Sequence, residues 1–132
     1  MTEATYGHTR NIGKVEFNVA VERVTAALKT EGFGVLTEID VKSTLKKKLD
    51  VDFRKYKILG ACNPPLAHGA LSSEPLLGLL LPCNVVVFEE NDGTTTVSAV
   101  NAMEMFKVVD NQDMAGIAEQ VDAKIRKVMD LL

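Results

Sequence analysis

Two cysteines, Cys62 and Cys83, are the residues of this chain best suited to chemistry, and their surroundings repeat. Each precedes an asparagine, Asn63 or Asn84, and each lies near a proline, Pro64 one residue removed from Cys62 and Pro82 directly before Cys83. A thiolate where one strand ends and another begins acts as nucleophile, redox centre or soft-metal ligand. The same residues also suit plain packing. Free cysteine is among the most buried residue types, and asparagine and proline shape turns. The spacing leaves both readings open. His68 follows Cys62 closely enough to assist a thiolate if the intervening helical turn folds back. Its plainer reading is a surface histidine.

Other candidate chemistry is thinner. Neither cysteine belongs to a C-x-x-C pair, and His8 and His68 are isolated, so the spacing of a tetrahedral zinc site is missing. Cys62, Cys83 and Met103 or Met105 have the softness to hold a soft cation, although methionine at strand spacing is more often core. Asp40, beside Glu38, sits where a strand gives way to a helix and reads as an N-cap. Lys46, Lys47 and Lys48 read as a solvated helix face. Gly32-Phe33-Gly34 starts a strand instead of opening a helix, so it is no phosphate loop. Serine-hydrolase and carboxylate-pair chemistry have no support.

The elements that must position these residues follow from periodicity. Residues 6–12 are polar and read as an edge strand. Asn18 reads as the cap of a helix to about Thr30 that buries Val21, Val24 and Leu28, and Gly32 ends it. Residues 34–40 alternate as a strand, Val35, Thr37 and Ile39 on one face, Leu36 and Glu38 on the other. Val41, Leu45 and Leu49 mark a short helix, and residues 56–62 the next strand. Residues 64–81 read as two helical pieces broken at Ser72-Ser73-Glu74-Pro75. Strands over 84–90 and 94–101 flank the hairpin signal Asn91-Asp92-Gly93.

The last element is a long helix carrying Met114, Ile117, Ala118, Val121, Ile125, Val128, Met129 and Leu132 on one stripe, with Asp110 or Asn111 as its cap. So broad an apolar face needs the sheet as partner. The broken excursion lets strand 56–62 and the strand from Cys83 run antiparallel as neighbours, which brings the cysteines to one end of the sheet at a Cα separation below about 8 Å. Met103 is drawn to the same end.

At 132 residues, 46% hydrophobic and 25% charged, the chain has the size and composition of one domain, residues 1–132, that folds without metal or disulfide. A net charge of -3, 5% aromatics and no tryptophan offer neither the field nor the stacking platforms of a nucleic-acid binder. The N-terminal residues lack the apolar core of a signal peptide, and the most apolar run, 75–88, is too short and too interrupted to span a membrane. A cytoplasmic protein with reduced thiols is expected.

Four blocks carry a resemblance. Gly32-Phe33-Gly34-Val35-Leu36, the step Ile39-Asp40-Val41, the run from Tyr56 through Cys62-Asn63-Pro64, and Leu81-Pro82-Cys83-Asn84-Val85 together resemble the bacterial and archaeal family called domain of unknown function 302. The resemblance implies a small domain similar to the TATA-binding-protein-like or helix-grip folds, and a homodimer. It implies no activity and no catalytic residue.

The expected fold is therefore α+β, an antiparallel sheet with helices on one face in the order β-α-β(4)-α with short helical insertions. The expected function is small-molecule binding or a sensor or carrier role, in a pocket between sheet and long helix with the cysteines at its mouth. A cavity of about 300 Å³ or more there favours it. The alternative is a thiol-dependent redox or sulfur-handling enzyme. The candidate site comprises Cys62, Asn63, Cys83, Asn84 and His68, with no metal or cofactor expected. Leu76, Leu77, Leu79, Leu80 and Leu81 face too many directions for one contact, so a second subunit is expected to cover some of them.

Overall fold

The computed structural model of the chain describes residues 4–132. Strands β1 (Gly7–Asn11), β2 (Gly34–Asp40), β3 (Tyr56–Cys62), β4 (Cys83–Glu89) and β5 (Thr95–Val100) form an open sheet in the order β1-β5-β4-β3-β2. Every neighbouring pair is antiparallel. Between and after the strands come helices α1 (Phe17–Thr30), α2 (Val41–Leu49), α3 (Pro64–Ser73), α4 (Ala102–Met105) and α5 (Asp113–Asp130). Short 3-10 turns span Pro75–Leu80 and Phe106–Val108. The expected α+β architecture, with its short helical insertions, is the one the chain adopts.

The main core lies on one face of the sheet. Val24 and Leu28 of α1 and Val121, Ile125 and Val128 of α5 pack with Leu59, Val85, Val87 and Val97. Alternation along β4 decides the face: Cys83, Val85 and Val87 are buried among the helices, while Asn84 is exposed. A smaller core under α3 joins Ala70, Leu77, Phe106, Met114 and Ala118. Among the described residues no helix is long and apolar enough to cross a membrane.

Three local expectations are corrected. α1 is capped by Glu16, whose carboxylate accepts from the Val19 N–H at 3.0 Å, and Asn18 lies inside the first turn. The cap position of α5 is Gln112, which makes no side-chain cap bond, and not Asp110 or Asn111, although the Asn111 side-chain oxygen accepts from the Asp113 N–H at 3.0 Å. The alternation read along β2 breaks at a bulge: Val35 pairs with Ala61 and Thr37 with Gly60, leaving Leu36 as the extra residue. Val35 thus packs toward the helix-side core, and Thr37 stands on the opposite face. A strict period of two would put them together.

Candidate functional site

At the end of the sheet where β3 finishes and β4 begins lies an apolar cavity of about 280 Å³. It is a little smaller than the volume expected, and Cys62 and Cys83 are part of its lining. Leu66, Ala67, Ala70 and Leu71 of α3 form one wall, and Ile117 and Val121 of α5 another. Phe33, Ala61, Leu81 and Phe106 close its floor and sides, while Leu36 and Thr37, both exposed, stand at its rim.

The sequence builds that wall simply. Asn63 ends β3 and caps α3, its side-chain oxygen accepting from the Leu66 N–H at 3.5 Å. Its amide donates to the Glu31 carbonyl at 3.1 Å, tying the start of α3 to the end of α1. Prolines at the first two helical positions suit φ near the helical value and sacrifice only N–H groups that the first turn leaves unpaired. Leu66, Ala67, Ala70 and Leu71 then recur at helical spacing toward the cavity. The far end of α3 is held by Asn111, whose amide donates to Glu74 Oε1 at 3.1 Å and Ser73 Oγ at 3.3 Å.

Of the five candidate residues, Cys62, Asn63 and Cys83 line the cavity. Asn84 is exposed on β4 and His68 exposed on α3, and neither belongs to the lining. Met103 packs in the smaller core instead of joining the cysteines. Among the described residues no three His, Cys, Asp or Glu side chains cluster to hold a metal ion.

The two thiols are close along the backbone and different in kind. Ala61 pairs with Cys83, so Cys62 is one residue beyond that pair. Strand spacing and rise then put the two Cα atoms about 6 Å apart. The pleat nevertheless sends Cys83 to the helix-covered face with Ala61 and Cys62 to the other. Side chains diverging in this way do not form a disulfide without backbone movement. Burial, with a smaller contribution from neighbouring Cys62, pushes the Cys83 thiol up to about 11. Cys83 is buried and protonated, whereas Cys62 is half-buried at the cavity.

Two features escaped sequence reasoning. Gly60 opposes Thr37, and a Cβ at Gly60 would lie 2.7 Å from Pro82 Cγ and collide with Thr37 Oγ1. The glycine thus lets Thr37 and Pro82 close over the strand at the rim. Elsewhere, Asp122 of α5 is buried at 5% exposure inside an apolar stripe. His8 Nε2 of β1 lies 2.7 Å from one carboxylate oxygen and Arg126 Nε donates to the other at 2.9 Å. The glycine's only sequence signal is its place inside a strand; the His8–Asp122 contact, spanning nearly the whole chain, has none.

Comparison with known proteins agrees with the fold. The family described as Domain of unknown function DUF302 matches residues 8–132. A solved structure, the crystal structure of an uncharacterized conserved DUF302 protein from Bacillus stearothermophilus, is similar at 31% identity and a TM-score of 0.87, covering 97% of this chain and 98% of that one. No functionally curated protein matches the chain.

Proposed function

The chain belongs to the DUF302 family, whose description assigns no activity, and we propose from the geometry of the sheet end that it binds a small apolar molecule there. The observation that carries this reading is the cavity of about 280 Å³ between α3, α5 and the ends of β3 and β4. Its walls are leucine, alanine, phenylalanine, isoleucine and valine, and its polar groups are few. Binding pockets share that chemistry, an apolar lining with a small number of placed polar groups. Asn63 is spent on capping and on the Glu31 carbonyl, so it shapes the wall and does not recognise the ligand.

The protein acts in this reading as a cytoplasmic carrier or sensor module and as a homodimer. Leu76 at 71% exposure and Leu79 at 84% support the dimer, because they form an apolar tip that a second subunit would cover. The divergence of Cys62 and Cys83 weakens a dithiol mechanism, which leaves ligand binding ahead of the redox alternative. A net charge of -3 argues against a nucleic-acid partner.

Native mass spectrometry of the protein as purified tests the reading. A bound organic molecule, displaced in an Ala70→Trp variant that fills the cavity, is the expected result. A protein that carries nothing and shows no saturable binding of aliphatic ketones or alcohols would overturn it.

A further inference from the structure

Two unengaged polar groups stand together at the cavity. The Thr37 hydroxyl stands exposed with no side-chain hydrogen bond to the described residues, and the Cys62 thiol is free and half-buried. Both line the cavity. Thr37 opposes Gly60, and Cys62 follows Gly60 by two residues, so both side chains project from the same face of the sheet. Diagonal positions of this kind are roughly 7–8 Å apart. That spacing suits a conjugated O=C–C=C unit, its oxygen hydrogen-bonded at one end and its far carbon in contact with sulfur at the other. Cys83, deeper and held protonated by burial, does not compete as nucleophile.

We propose that the ligand class of this cavity is an α,β-unsaturated carbonyl compound with an apolar tail, captured by conjugate addition at Cys62. The inference rests on the cavity-binding reading and gives it a chemical class. The tail turns round the end of β3, from the face that carries Thr37 and Cys62 to the helix-covered one, and lies against Leu66, Ala70 and Val121 of the same cavity, while the Thr37 hydroxyl donates to the carbonyl oxygen. The Cys62 sulfur bonds to the β-carbon as the C=C π bond breaks, and negative charge collects on the carbonyl oxygen beside Thr37. The proton lost by the thiol is returned to the α-carbon, so the adduct is the sum of protein and enone. No oxidant or reductant is consumed.

The test uses nonenone and pentenone, two linear enones that differ in tail length, with saturated nonanone as the non-reacting analogue. Intact mass and peptide mapping follow addition to the full chain, with glutathione as the reference thiol. The expected result is adduct at Cys62, with a nonenone-to-pentenone rate ratio exceeding that of glutathione by about tenfold, the increment supplied by burying two of nonenone's four additional methylenes. Thr37→Val should slow nonenone addition about fivefold and weaken nonanone binding by a similar factor, because both ketones offer the same acceptor oxygen, and Cys62→Ser should abolish the adduct. If nonanone binds but Cys62 shows glutathione's ratio, or if Cys83 is the residue modified, the proposal falls and the cavity reading survives. If nonanone fails to bind, the cavity reading falls with it.

Discussion

Gly60→Ala is a small perturbation with a large expected effect. A methyl group there would collide with Thr37 Oγ1 on one side and lie 2.7 Å from Pro82 Cγ on the other. Thr37 is on a strand locked to β3 by ladder hydrogen bonds, and Pro82 is a ring between Leu81 and the first residue of β4. Neither is the free end of a flexible side chain. Overpacking of this kind costs about 1–3 kcal/mol. With an m-value of about 1–3 kcal/mol per molar urea, the unfolding midpoint should fall by about 1 M. The assay is urea unfolding of four proteins: the parent, Gly60→Ala, Thr37→Ala and the double variant. Thr37→Ala alone, at an exposed position, should lie within about 0.5 kcal/mol of the parent. The double variant should recover part of the loss, because the Thr37 collision is relieved and the Pro82 contact is not, giving a coupling of about 1 kcal/mol. A Gly60→Ala protein as stable as the parent, or additive effects, would refute this account of the rim.

Further expectations concern the core, the thiols and assembly. Ile125→Asp places an unpaired charge in the core and should cost several kcal/mol, enough to prevent folding, whereas Arg126→Ala should cost no more than about 1 kcal/mol; circular dichroism and urea unfolding compare them, and equal damage would mean that the helix face is misassigned. A thiol reagent at pH 8 should label Cys62 in the native protein and both cysteines after unfolding. Because the Cys83 thiol is raised from its ordinary 9.0 to about 11, the unfolded chain releases that proton first, so stability should fall as pH rises between those values and be insensitive to Cys83 below them. This is read as urea midpoints of the parent against Cys83→Ala across alkaline pH. Light scattering should report a dimer at micromolar concentration and a monomer for Leu79→Glu; a monomeric parent would sink the assembly reading.

How far these residues were legible in the sequence depends on the range of the interaction that places them. Local chemistry set the elements. The stripe from Met114 to Met129 declares a helix with one buried face, Asn91-Asp92-Gly93 declares the hairpin between β4 and β5, and the break before Pro75 splits the excursion into α3 and a 3-10 turn. Each follows from steric preferences and periodicity within a few residues. The return of the chain to the sheet end it left, which brings Cys62 near Cys83, was also readable from the length and break of that excursion.

What the sequence could not supply is whatever depends on a partner from elsewhere in the chain. The bulge at Leu36 exists because β2 must match β3, and it reverses the face on which Thr37 stands. Only the ladder shows that Gly60 opposes Thr37, and only the assembled end of the sheet, with α3 and α5 against it, leaves a cavity. Asn111 reads locally as a cap, and the fold adds a tie from its amide to Ser73 and Glu74. Asp122 carries no local sign of burial, and it is buried because His8, brought in on β1, and Arg126 satisfy its carboxylate. Side-chain alternation and helical period are encoded over a turn or two. Register, cavities and paired buried charges are settled by packing among residues far apart along the chain, and so only the tertiary structure decides them.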